Sequence, residues 1–359
     1  MAWRTRAALL FVAAALTACA HSQSTATRPA SSGLPQQIGA ALPGARSSAP
    51  VSTNPPPIDQ FDLQELFKRL TDLSFFTQLS PEMIVRKVTY SGADKLPIPA
   101  YVFAPKDTLR RHAVLLFVHD GIHSDLQDFY VPHIRSLVRD GYVIVAPEYR
   151  GSTGYGRSFY DAIDYGGKEV DDVIAARTYL RGFVPYADLD RLGIIGWSHG
   201  GFITLLSIFR RPELFRVAVA HVPVADLPAR IRTHTPGYER IFSAQPGYGG
   251  TLLERPQAYI QRSPVAHVRE LKTPLLVHAA SNDDDVFIIE NHNLRDSMVA
   301  AGKQRAGLYH YKEWKDPPGG HSFNRMETRE GKESWDETLA FLRRYLKPER
   351  TTRIGLRVR

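Results

Sequence analysis

The sequence predicts an α/β protein built on a mostly parallel sheet with helices on both faces. Three observations carry that prediction. Short runs of almost pure apolar residues recur from Ala113 onward. Segments with helical spacing separate them, and few of the runs alternate in polarity as a strand with one wet face would. "AVLLFVH", "YVIVAPEY", "RLGIIGW", "RVAVAHVP" and "TPLLVHAA" read as buried strands, and "LYHYKEW" as a further strand near the end. "VDDVIAARTYLRG" and "ENHNLRDSMVAAG" read as helices between them. The composition, 43% hydrophobic and 23% charged, is that of a globular chain with ample material for a core.

Taken in order, the chain starts with a short basic segment, "MAWRTR", and an apolar run, "AALLFVAAAL". The run is shorter than the roughly 20 residues that cross a bilayer and suits the centre of an export signal. "LTAC" follows at once. Cys19 is the single cysteine, so no disulfide forms within the chain. Small residues before a cysteine resemble the lipobox of bacterial lipoproteins. That resemblance implies a signal peptide over 1–18, a lipid on Cys19, and export to a bacterial membrane on its periplasmic or cell-surface side. Residues 20–57 are rich in Ser, Ala, Thr and Pro and hold few large apolar residues, so they read as a disordered tether with a reach of about 35 Å. One folded domain is expected over 58–348, followed by a basic tail over 349–359.

The domain is expected to open with a helix in "DQFDLQELFKRL", with Phe61, Leu66, Phe67 and Leu70 along one face. "MIVRKVTY" and "IPAYVFAP" read as strands around a turn at "SGADKLP". Residues 225–262 show no clear strand, and "RTHTPGYERIFSAQPGYGG" reads as a loop or cap insertion near the site. No internal repeat is visible, which argues against a propeller or solenoid. The net charge of +8 is scattered, with no basic stripe interleaved with aromatics, so nucleic acid is not an expected partner. Weak attraction to anionic lipid head groups is compatible with it.

The chemistry centres on "LGIIGWSHGGF". Ser198 lies in Gly-x-Ser-x-Gly after a strand and before a helix, the context of a nucleophile elbow. Such a turn is tight and strains the serine, and the positions two before and two after it must be small. Gly196 and Gly200 fill them. The hydroxyl is then exposed at a helix N-terminus, where developing negative charge is favoured. The fold this predicts is the α/β-hydrolase fold, whose partners follow in the order Ser, acid, His. The acid falls in "SNDDDVF", where Asp283, Asp284 and Asp285 compete. A calcium loop is a poorer reading, because the spacing does not match an EF-hand. The base is expected to be His321, on a loop after two glycines and before the last helix, "KESWDETLAFLRRYL". His278 and His310 lie in strands, and the His199 side chain should point away from the serine. No metal ligand set and no cofactor motif stands out.

Together, "YRGSTGYGRSF", "DDVIAARTYL", "DLDRLGIIGWSHGGF", "SPVAHV" and "PGGHSFNR" resemble the catalytic domain of the prolyl oligopeptidase family over most of residues 85–346. The resemblance implies a serine peptidase with Ser198 as nucleophile and His321 as base. The family's acid stands three residues before a valine, which points to Asp283 by counting back from Val286. Counting forward from His278 would give Asn282, which cannot serve as the carboxylate. The oxyanion hole would use the backbone N–H of His199 and, from the segment that reads "HGG" in relatives, that of Gly121. Here this segment reads "HDG", and Asp120 would repel an oxyanion unless turned away. Arg150 to Gly156 match a family segment read here as a structural loop. About 55 ordered residues precede the first buried strand, too few for the family's β-propeller, so propeller-dependent specificity is not carried over. A carboxylesterase or lactone hydrolase is the alternative activity. A non-catalytic binding lipoprotein is the alternative of another class, and the intact Ser, Asp and His argue against it.

Overall fold

The computed structural model describes residues 59–348. The leader, Cys19, the tether and the basic tail lie outside the described residues. Eight strands form one sheet: β1 Ile84–Ser91, β2 Pro97–Ala104, β3 His112–Val118, β4 Val143–Pro147, β5 Ala187–Trp197, β6 Val217–His221, β7 Leu275–Ala280 and β8 Tyr309–Trp314. Their order is β1-β2-β4-β3-β5-β6-β7-β8. The first two pairings, β1 with β2 and β2 with β4, are antiparallel, and the rest are parallel. Ten helices are described: α1 Gln60–Leu79, α2 Val131–Arg139, α3 Arg157–Tyr160, α4 Lys168–Phe183, α5 His199–Arg210, α6 Leu227–Thr233, α7 Arg240–Ser243, α8 Pro256–Gln261, α9 Ile288–Ala300 and α10 Arg329–Leu346.

The central strands are apolar throughout because both faces of the sheet are covered. Val114, Leu116 and Ile194 pack with Val173 of α4, Leu206 of α5 and Leu294 of α9. Their neighbours Leu115, Phe117 and Ile195 point the other way, onto Ile134 and Leu137 of α2 and Leu342 of α10. Adjacent residues of one strand thus belong to two separate cores, the period-two geometry of a strand. Each expected strand is present. β5 starts earlier than "RLGIIGW" because a register shift beside Ala113 lets Ala187 and Asp188 pair as well.

Two regions differ from the sequence reading. Helix α1 buries Phe61, Lys68, Phe75 and Leu79, while Leu66, Phe67 and Leu70 stand exposed on its other side. Spacing alone does not say which stripe meets the core, and here a lysine does. Lys68 Nζ donates to Asp125 (2.8 Å), to the Leu126 carbonyl (3.2 Å) and to Glu148. Burial acts against its charge, but Glu148 and Asp125 outweigh it and raise its pKa. The stretch between β6 and β7 forms the three short helices α6, α7 and α8. Its Phe242, Tyr248 and Tyr259 join the core that also holds Tyr165 and Phe202.

Glu169, in the first turn of α4, is buried against α5. Its carboxyl accepts from the backbone N–H of Gly166 and Gly167, and Oε1 lies 3.8 Å from His199 Nε2. Burial, partly offset by those N–H groups, pushes its pKa up to about 8. A raised folded pKa means that the native state favours the proton. The associated stability is full below the unfolded value of about 4.3 and is lost as pH rises through about 8. Glu169→Gln keeps the neutral shape, so thermal melts from pH 5 to 9 should show the native chain losing Tm relative to the variant toward high pH. Parallel curves for the two proteins would refute this.

Candidate active site

Ser198, Asp283 and His321 follow the carboxyl ends of the parallel strands β5, β7 and β8. Ser198 follows β5 directly, with φ 54 and ψ −116. A side chain at positive φ costs energy, here borne because the turn is fixed on both sides. Ser198 N–H donates to the His221 carbonyl at the end of β6 (2.9 Å), and its own carbonyl accepts from Phe202 N–H (2.9 Å). The glycines are required by space. A Cβ on Gly196 would collide with the Gly200 backbone, and one on Gly200 with the Val118 and His119 carbonyls at the end of β3. The chain therefore turns from strand to helix within van der Waals reach of its neighbour.

Of the three aspartates after β7, the one that meets His321 is Asp283. His321 Nδ1 donates to Asp283 Oδ2 (2.8 Å), which leaves Nε2 as the outward nitrogen. Asp283 Oδ1 accepts from the backbone N–H of Asp285 (3.0 Å) and Val286 (2.8 Å), so both carboxylate oxygens are held. Asp283 is buried, whereas Asp284 and Asp285 are exposed. Asp285 instead accepts from Arg230 of α6 (2.6 Å), whose guanidinium also reaches Glu290 (3.0 Å). Burial pushes the Glu290 carboxyl up to about 7 against the pull of Arg230. The His321 loop leans on the aspartate loop: Asn282 Nδ2 donates to the Pro317 carbonyl (3.1 Å), and a Cβ on Gly320 would press on the Asn282 carbonyl (2.9 Å). Ser198 is 6% exposed, so access to its hydroxyl is narrow. Among the described residues no hydrogen bond joins Ser198 to His321. Catalytic hydrogen bonds are often long in ligand-free enzymes and tighten on the reacting complex.

His278, His310 and His199 are packed. His278 Nδ1 bonds Ser334 Oγ (2.8 Å) beneath the sheet, and His310 packs edge-on against Phe341. The His199 ring lies among Tyr165, Tyr149 and Phe202, and burial holds its pKa well below the usual value. Its backbone N–H opens α5, where helix N–H groups lack intrahelical partners. Gly121 follows β3 with φ 74, and its carbonyl accepts from Tyr149 Oη (2.6 Å). In the Arg150–Gly156 segment, Arg150 is buried and held by Asp172 and Asp94. Two surface clefts, one between α2 and α10 and one around Tyr248 and Arg255, are lined by neither Ser198 nor His321.

The sequence places the Asp120 carboxylate next to the expected oxyanion hole. Its Oδ2 accepts from Arg325 Nη1 and its Oδ1 from Tyr130 Oη (3.1 Å). Burial alone would raise its pKa, but Arg325 outweighs burial and holds the carboxyl below its ordinary value. Arg325 ends "PGGHSFNR", four residues after His321. The only hint in the sequence was that a carboxylate at this place needs a cation. The pair ties the loop after β3 to the loop that carries His321.

A strained serine, a carboxylate–imidazole pair and an α/β sheet that sets them on neighbouring strand ends define the serine hydrolases of α/β-hydrolase fold. Residues 128–349 match the model of the prolyl oligopeptidase family, and the chain belongs to that family. It is 28% identical over 225 residues to the peptidase YuxL of Bacillus subtilis, covering 62% of this chain and 34% of that protein. It is 30% identical over 198 residues to acylamino-acid-releasing enzyme 2 of Oryza sativa subsp. japonica, covering 52% and 25%. A solved puromycin-hydrolyzing peptidase of Mycobacterium tuberculosis superposes with TM-score 0.62 at 26% identity, covering 74% of this chain and 40% of that one. The chain thus spans less than half the length of these relatives.

Arg325→Gln should lower kcat at least about tenfold, because it leaves a half-buried carboxylate uncompensated next to Gly121. Adding Asp120→Asn to it should restore part of the loss. Unchanged kcat in Arg325→Gln would show that Asp120 does not bear on the reaction.

Proposed function

We propose that the protein is a serine peptidase that cleaves amide bonds of short or N-blocked peptides through an acyl-enzyme on Ser198. The observation that carries this reading is the 2.8 Å bond from His321 Nδ1 to a fully held Asp283, on the same sheet edge as a strained Ser198. In this reading Ser198 Oγ attacks the carbonyl carbon and passes its proton to His321 Nε2. Asp283 fixes the tautomer and stabilises the imidazolium. The oxyanion accepts from the N–H groups of His199 and Gly121. His321 then gives its proton to the leaving amine, and water repeats the sequence in reverse to free the acid. The names of the relatives support amide over ester substrates: one releases acylated amino acids and another hydrolyses puromycin. The same chemistry would cleave esters, so a carboxylesterase is the competing outcome.

Asp283→Asn should lower turnover by about 10⁴, and Asp284→Asn and Asp285→Asn far less. If Asp285→Asn were the crippling change, the assignment of the acid would fall. The activity itself is read from kcat/KM on an ester and an amide with one acyl group. Amide rates within about tenfold of ester rates support the peptidase, a gap of about 1.4 kcal/mol. Ester cleavage without amide cleavage supports the esterase. Failure of both, with Ser198 inert to fluorophosphonate, supports a binding protein.

The reading includes export and a lipid on Cys19, supported by "LTAC" after a basic start and a short apolar run. Cys19→Ser should move the protein from the membrane to the soluble fraction in cell fractionation. Unchanged membrane association would refute the anchor. Stable attachment needs more than one acyl chain.

A further inference from the structure

We propose that the outward face of α1 is a membrane-contact surface that lies against the acyl-headgroup boundary of a lipid bilayer. Leu63, Leu66, Phe67, Leu70, Leu73 and Phe76 of this helix are 37–61% exposed. They make up six of the fifteen large apolar side chains exposed among the described residues, so this one helix holds the densest such patch. The spacing of Leu63, Leu66, Leu70 and Leu73, three and four residues apart, aligns them as a stripe about 15 Å long. The opposite face is already used: Phe61, Lys68, Phe75 and Leu79 are buried in the domain. A helix apolar on two opposite faces lies between two partners, and only one of them is the domain.

Three observations favour lipid as the second partner. First, all six exposed side chains are Leu or Phe, the residue types that interfacial helices bury at the headgroup and acyl boundary. Second, the charges along the helix are largely matched: Asp72 with Lys87 (2.5 Å), Glu65 with Arg69 (3.9 Å) and Asp59 with Arg157 (3.8 Å). A bilayer accepts such a neutral stripe without a complementary charge pattern. Third, α1 starts only 41 positions after Cys19, at Gln60, so an anchored chain would deliver this helix, before any other part of the domain, to the membrane surface. The geometry does not depend on the reading of Ser198. Contact through α1 would fix the orientation of the domain at the bilayer.

The test uses the full chain carrying Cys19→Ser, which has no other cysteine. Leu70→Cys, or as a control Leu253→Cys at a site 92% exposed, takes an NBD fluorophore. The chains are mixed with vesicles of phosphatidylethanolamine and phosphatidylglycerol containing brominated acyl chains. No variant carries an acyl anchor, so position-specific quenching reports contact made by α1 itself. NBD at position 70 should shift to the blue and be quenched severalfold, with little change at 253. Adding Leu66→Glu, an exposed change that leaves circular dichroism intact, should abolish the effect. A probe at position 70 that stays in water with vesicles present overturns the proposal. A blue shift that appears without vesicles and grows with protein concentration overturns it in favour of a second copy of the chain. Fluorophosphonate labelling of the same samples reports the catalytic reading separately.

Discussion

The turn at Ser198 constrains everything around it. A serine at positive φ between a buried strand and a buried helix leaves room for no side chain at Gly196 or Gly200. The collisions that enforce this are with backbone, at the ends of β3 and within α5, so they cannot be relieved by a rotamer change. The hydrogen bond from Ser198 N–H to the His221 carbonyl then fixes the turn against β6. The strain is held by the sheet, and the sheet is held by two cores that together cover both of its faces.

Electrostatics near this turn follow one pattern. Carboxylates that must stay charged are given explicit partners: Asp283 has two backbone N–H groups and His321, and Asp120 has Arg325 and Tyr130. A carboxyl without a cation, Glu169, is pushed up to about 8. Lys68 does the same work for Glu148, whose pKa falls to about 2 despite complete burial, because Lys68 and His119 outweigh the loss of water. Buried charge is thus tolerated only where pairing exceeds desolvation.

The strands were legible because a strand covered on both faces is a contiguous apolar run, which nothing else of that length imitates when β-branched residues and turn signals flank it. The elbow was legible because its glycines serve space and cannot be replaced. The aspartate loop was open between three residues until the resemblance to the family pointed to Asp283, since three adjacent carboxylates carry no periodic signal. Two features were not legible. The pairing of Asp120 with Arg325 joins positions 205 apart, and local pattern holds no information at that range. The orientation of α1 turned on the burial of Lys68, a residue type that pattern reading assigns to solvent.

Ser198, Asp283 and His321 come from the ends of β5, β7 and β8, with β6 between the first and the rest. No local segment of chain contains more than one of them. The geometry therefore exists only after four neighbouring strands have docked in register, and a partly folded intermediate holds a serine, an aspartate and a histidine that are as unreactive as the free amino acids. Until the sheet has closed, the chain carries no assembled site.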